Sequence, residues 1–355
     1  MKQVRMLTWA LCIFGLQACS KEDNNPSNPV QPARGVYVLS EGSFFGNNAK
    51  LGFYSLETST FAGDYYLQQN PGMTAGLGDV ATDVIIYGSK LYIIVNNSNV
   101  VRVLHAANGT HLADIAFTPA AKQPRFGVGV QGKMFVTAYD GTVNIIDTTS
   151  LSITGSIPVG LNPEGITISG DFLYVANSGG LSFPTYDLTV SVISLSSLTE
   201  IQKITVGKNP NSITADDAGN VYVSCLGDYG AIAPKMVKIQ TSTRNVVFSA
   251  DTAAGVIRYY NNRLYTTGGY LGSAFVRELN TNNFAAIRSN FVTDGTVITN
   301  PYGITIDEQN GDVYITDAKD FVATGELFCF NPAGVRKFSV ATSPGINPVK
   351  VAFVR

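Results

Sequence analysis

Residues 161–180 read LNPEGITISGDFLYVANSGG, two apolar runs joined by a Gly-Asp turn and closed by a glycine pair. Glycine and aspartate tolerate the backbone of a tight reversal, so the stretch predicts a hairpin. The same outline returns at 208–227, KNPNSITADDAGNVYVSCLG, and at 300–319, NPYGITIDEQNGDVYITDAK. A hairpin that recurs along a chain points to a repeat architecture, and the repeat outweighs the two or three domains that 355 residues would otherwise suggest.

Working outward, the second runs are GVYVLSEG, KLYIIVNN, KMFVTAYD, FLYVANSG, NVYVSCLG, RLYTTGGY and DVYITDAK. Their aromatics stand at Tyr37, Tyr92, Phe135, Tyr174, Tyr222, Tyr265 and Tyr314, at intervals of 55, 43, 39, 48, 43 and 49 residues. That spacing suits a propeller blade of four strands and three turns. Two further strands follow each hairpin, as in TVNIIDTTSLSITGSIPV and TVSVISLSSLTEIQKITV, with Asp, Thr, Ser and Asn at the tips. First strands occur at LGDVATDVIIY, QPRFGVGVQ, LNPEGITIS, KNPNSITAD, TAAGVIRYY and NPYGITIDE, and the seventh is the C-terminal INPVKVAFV. The count closes only if Pro348–Val354 pairs with the strand at Gly35–Glu41. The reading is therefore all-β: a seven-bladed β-propeller of four-stranded blades over 35–355, its ring closed by the C-terminal strand against the N-terminal one.

Composition agrees and excludes some partners. The chain is 45% hydrophobic and 14% charged, with 35 glycines and 17 tyrosines, as many short strands and tight turns require. Lys and Arg number 24 against 26 Asp and Glu, with no basic block, so the field that draws nucleic acid is missing. Cys225 and Cys329 sit in apolar strand contexts and read as buried free thiols. His105 and His111 flank the turn AANGT and read as surface residues; no metal-ligand spacing appears and no cofactor is expected.

At the N-terminus Lys2 and Arg5 precede an apolar stretch, Met6 to Leu16, too short to span a bilayer and suited to a secretory signal. Leu16-Gln17-Ala18-Cys19 resembles a bacterial lipobox, which implies removal of residues 1–18 and acylation of Cys19. Ser20-Lys21-Glu22-Asp23 resembles the signal that sends Bacteroidota lipoproteins to the outer face of the outer membrane. The rest of 19–34 is a polar, Pro-rich tether.

Loops into first strands and out of second strands open on one face around the channel, which is the expected binding face. The exits bring Phe44, Phe45, Phe183, Tyr186, Tyr229, Tyr270 and Phe321 there, among Asn47, Asn97, Asn177, Asp228, Asp317 and Lys319. The loops leading in add Arg125, Glu164, Asn211 and Tyr302, while the recurring Asn-Pro reads as a turn that fixes the start of the inner strand. Aromatic rings among amides suit a flat, polar ligand. A hydrolase or lyase would need Glu41, Glu164 and Asp317 to converge on the channel, since this face carries no His and the chain no Gly-x-Ser-x-Gly elbow; the balance is against an enzyme.

The pattern LYVANSG, TVSVI, ITVGKNP resembles the YVTN/YncE-like propeller family across roughly 35–355. More narrowly, GVYVLSEGSFFGNNAKLGFYS, LYIIVNNSN and NPYGITIDEQNGDVYITDAKDF are similar to Bacteroidota surface lipoproteins that include cobalamin-capturing propellers. That resemblance implies a corrinoid ligand passed to a TonB-dependent outer-membrane transporter. A carbohydrate- or protein-binding surface propeller is the competing expectation.

Overall fold

In a computed structural model, residues 32–118, 122–269 and 273–355 are described; the leader, Cys19 and Tyr270 lie outside the described residues. The described chain forms seven four-stranded antiparallel sheets. In six, the strands run outward in chain order; in the fourth blade these are Pro163–Ser169, Phe172–Asn177, Thr189–Ser194 and Thr199–Thr205. The first blade joins the two chain ends, in the order Pro348–Val354, Gly35–Ser40, Lys50–Ser55, Thr60–Ala62. Its closing register sets Gly35 opposite Val354 and Leu39 opposite Lys350, as the strand count required.

What turns seven sheets into a ring is packing between blades. Among the described residues there are seven buried apolar clusters, and each spans one blade and the next. The recurrent second-strand aromatic enters the following interface every time. Tyr92 packs with Met134 and Val136, Phe135 with Leu173 and Val175, Tyr174 with Val221 and Val223, and Tyr314 with Val36 and Val351. A strand covered on both sides has no solvent face, which explains why these strands do not alternate apolar with polar. Cys225 and Cys329 are free thiols in this packing, and burial pushes each up to about 12.

The start of each inner strand has a recurrent geometry. Asn162, Asn209 and Asn347, each before a proline, hold φ of 41°, 58° and 54°, a left-handed backbone that asparagine tolerates. Immediately after that proline the register slips. Pro163 faces Asn177 but Ile166 faces Val175; Pro210 faces Cys225 but Ser212 faces Ser224; Pro301 faces Asp317 but Gly303 faces Thr316. The same β-bulge occurs after Ala81, after Pro124 and around Val349. One element was not read from sequence: the helix Tyr65–Gln69, capped by Asp64 accepting from the Leu67 N–H, which buries Tyr66 with Tyr37 and Leu91.

Two outcomes follow from this architecture. Deleting Pro348–Arg355 opens the ring, and the cooperative melting transition is expected to be lost; an unchanged transition by calorimetry contradicts the closure. Phe135→Ala removes a fully buried ring from the interface of the third and fourth blades and is expected to cost about 3–5 kcal/mol in urea denaturation.

Candidate functional site

The bulges decide which side chains reach the channel. A bulge sets two residues against one and re-aims the extra side chain. Here the extra residues include Arg125, Glu164, Asn211 and Tyr302, the four read from the loops leading into inner strands.

Three of the four meet at the channel mouth. Arg125 donates from Nε to Glu164 Oε2 at 2.9 Å and from Nη2 to Oε1 at 3.3 Å, a two-pronged pair. Tyr139 also donates to Glu164, and the Arg125 guanidinium lies 4.9 Å from the Tyr139 ring centre. Across the mouth the Tyr302 hydroxyl donates to Glu41 Oε2 at 2.6 Å, and the Phe321 ring stands edge-on to Tyr302 at 5.7 Å. Burial raises the Glu41 carboxyl above the usual range, opposed by the Tyr302 hydrogen bond and by Arg125. Arg125 loses stability of its charge to burial but gains more from Glu164, Tyr139 and Glu41, so its pKa is raised. The mouth is thus a guanidinium held between two carboxylates and two phenols. Glu41 and Glu164 do converge there, as an enzymatic reading requires, but Asp317 does not.

Asp317 is enclosed in its own blade, accepting from the backbone N–H of Thr299, Asn300 and Lys319 at 2.8–2.9 Å. Asn177 holds the corresponding place in the fourth blade, with 0% exposure; its amide donates to Thr189 and Ser191 and accepts from Gly160. Both brace turns, and their side chains are enclosed by local hydrogen bonds. Lys319 is likewise engaged, by Glu326 at 2.7 Å and Asp317 at 3.1 Å. Asn97 braces its turn through Asp79 at 2.6 Å. Asn211 lies deeper than the mouth, in the channel wall.

The loop aromatics divide into two sectors. Around the fourth and fifth blades, Phe183 and Tyr229 are 73% and 75% exposed, while Tyr186 between them is 7% exposed and packs. Tyr186 stands edge-on to Phe183 at 6.0 Å and to Tyr229 at 6.3 Å, and Lys208 lies over its ring at 5.7 Å. Tyr229 has its ring in solvent, yet burial of its hydroxyl raises its pKa; a hydrogen bond to Asn209 opposes this, and Tyr186 and Glu164 add to it. The other sector, by ring order across the mouth, comprises Phe321 of the seventh blade and Phe44 and Phe45 of the first, whose rings lie 4.1 Å apart at a 45° tilt and are 64% and 78% exposed. Phe45, Tyr186, Tyr229 and Phe321 all have φ between 38° and 65°. A bulky side chain in that region costs about 1–2 kcal/mol, which the loop packing must offset.

Sequence reading missed two concavities. On the loop face a notch of about 480 Å³ separates the fifth and sixth blades, lined by Tyr229, Ile232, Pro234, Phe275 and Arg277, with the Arg277 guanidinium 3.8 Å from the Phe275 ring centre. A wider hollow, about 670 Å³, opens on the opposite face, among the short turns there. No local pattern marks either, because each wall comes from different blades.

The sequence model of a family described as a domain of unknown function (DUF5074) matches residues 34–342. No curated protein matches the chain. Among solved structures, a quinonprotein alcohol dehydrogenase-like protein from Bacteroides thetaiotaomicron is 17% identical, with 90% of this chain and 78% of that chain covered and a TM-score of 0.66. The computationally designed Ika8 protein is 9% identical over 88% and 90% of the two chains, with a TM-score of 0.57. Kuenenia stuttgartiensis hydrazine synthase is 18% identical over 68% and 73%, with a TM-score of 0.52. At these identities the likeness extends to the fold alone.

Acid unfolding checks the brace role. Burial raises the Asp317 pKa, but its backbone hydrogen bonds and Lys319 outweigh that and lower it below the usual carboxylate value. A depressed folded pKa contributes stability above the unfolded value and loses it as pH falls through the folded one. Asp317→Asn is therefore expected to lower stability at pH 7 and to flatten its decline between about pH 5 and pH 2 in urea titrations. An equal decline in both proteins removes Asp317 from the acid transition.

Proposed function

We propose that this chain, which belongs to the DUF5074 family, captures a flat polar ligand on the loop face of its propeller, a corrinoid such as cobalamin being the best match. The observation that carries this reading is the pair of aromatic sectors facing one another across a mouth that presents a guanidinium, carboxylates and phenols. Of the large apolar side chains that are exposed, Phe44, Phe45, Leu161, Leu181, Phe183 and Tyr229 all belong to this face. Monomeric proteins rarely gather such residues without a binding role. A corrin ring gives aromatic contact area, and its amide arms can bond to the polar mouth.

The likeness of the N-terminal segment to a lipobox supports a lipid anchor at Cys19. Surface display with release to a TonB-dependent transporter is the function that accords with such an anchor and with a loop face built for binding. A non-enzymatic role accords with the mouth, where Glu164 is already committed to Arg125 and Tyr139.

Titration of the purified full-length protein with cyanocobalamin, followed by the corrin absorbance, is expected to saturate at micromolar ligand. No binding at those concentrations rules the corrinoid out, and saturation by an oligosaccharide instead assigns the face to carbohydrate. Phe183→Ala and Tyr229→Ala are each expected to weaken binding by about 1–3 kcal/mol, with folding unchanged because both rings are exposed. Labelling with palmitate is expected in the wild-type chain and lost in Cys19→Ala.

A further inference from the structure

Below the mouth the channel holds a second polar chamber of about 250 Å³, walled by inner strands of several blades. Its charged lining residues are Asp83, Lys350 and Arg258. Lys350 Nζ meets Asp83 Oδ1 at 2.5 Å, and the other carboxylate oxygen of Asp83 accepts from the Gly127 N–H at 3.0 Å. Asp83 is thereby satisfied by one cation and by backbone.

Arg258 is different. Its Nη1 donates to the carbonyl of Ile257 at 2.8 Å, and among the described residues no carboxylate pairs with it. A guanidinium has five donors in a planar fork, and proteins rarely enclose that charge without a counter-charge. Burial depresses the Arg258 pKa, with only partial relief from Asp83, consistent with an uncompensated cation. Asn211, re-aimed into the channel by its bulge, lines the same chamber, and its side-chain amide has no protein partner among the described residues. Three of the lining hydroxyls are engaged by backbone: Thr82 donates to the Arg125 carbonyl, Ser212 accepts from the Ile257 N–H, and Thr214 accepts from the Tyr259 N–H; Thr167 completes the polar lining.

We infer that the middle of the channel is a binding site for a small monoanion, held by the Arg258 guanidinium and the Asn211 amide. With Lys350 and Asp83 neutralising one another, the chamber carries one positive charge in excess, which sets the ligand charge at one. The planar fork of Arg258 matches a carboxylate better than a sphere, since two parallel N–H groups meet two oxygens. The hollow on the opposite face is the side from which the ligand would enter, since Lys350 lines both spaces. This site is separate from the loop-face aromatics and stands whether or not a corrinoid binds there.

Formate and bromide serve as probes. At constant ionic strength, replacing gluconate by formate is expected to raise the melting temperature of the full-length protein by about 2–4 °C. Arg258→Met is expected to abolish that increment while melting no lower than wild type in gluconate, because it removes a half-buried charge that has no carboxylate partner among the described residues. Wild-type crystals soaked in bromide are expected to show an anomalous peak within hydrogen-bond reach of Arg258. A formate increment that survives in Arg258→Met, or a channel without a bromide peak, overturns the site. A larger increment from bromide than from formate overturns the preference for a carboxylate.

Discussion

Everything in this molecule depends on the antiparallel pairing of Gly35–Ser40 with Pro348–Val354. A blade has two large faces and can bury neither alone; only a neighbour on each side covers them. An open row of seven would leave two faces in water, and one strand pair joining residues some three hundred positions apart removes both. The cost is chain entropy that grows only slowly with loop length, while the return is a complete interface cluster containing Val36, Tyr314 and Val351.

The closed ring sets the channel, and the bulges set what faces it. Proline denies the inner strand a donor at its start, a left-handed asparagine turns the chain in, and the next residue is left without a partner across the pair. Repeated around the ring, the proline and the bulge aim Arg125, Glu164, Asn211 and Tyr302 at one axis from four different blades, with the left-handed asparagine present before Glu164 and Asn211. A charged cluster so assembled is rigid because each member hangs on a sheet. The aromatics, by contrast, hang on loops and hold strained backbones, which leaves ligand choice to the loops.

The legible part of the site follows the same division. Residues after Asn-Pro or Gln-Pro stood out because the dipeptide marks the start of an inner strand, and the bulge at that point carried them to the channel. Tyr139 escaped notice because it directly follows a regular strand, Lys133–Ala138, and resembles a continuation of it. Asn177 and Asp317 show a related effect: a polar residue closing a buried strand looks available in sequence, yet the turn beside it offers backbone donors or hydroxyls that enclose it. Arg258 drew no attention, since its isolation exists only relative to Asp83 and Lys350 on distant strands.

By itself the sequence determined the number of blades, their strand order, the closure of the ring and the face that carries the aromatics. These depend on periodicity, on turn residues and on counting, all of which are local or additive along the chain. Tertiary structure alone decided which carboxylate meets Arg125, which aromatics stay exposed and which described cation in the channel has no carboxylate beside it. Those are properties of distances between blades, and a distance across a channel leaves no trace in the order of residues along a strand.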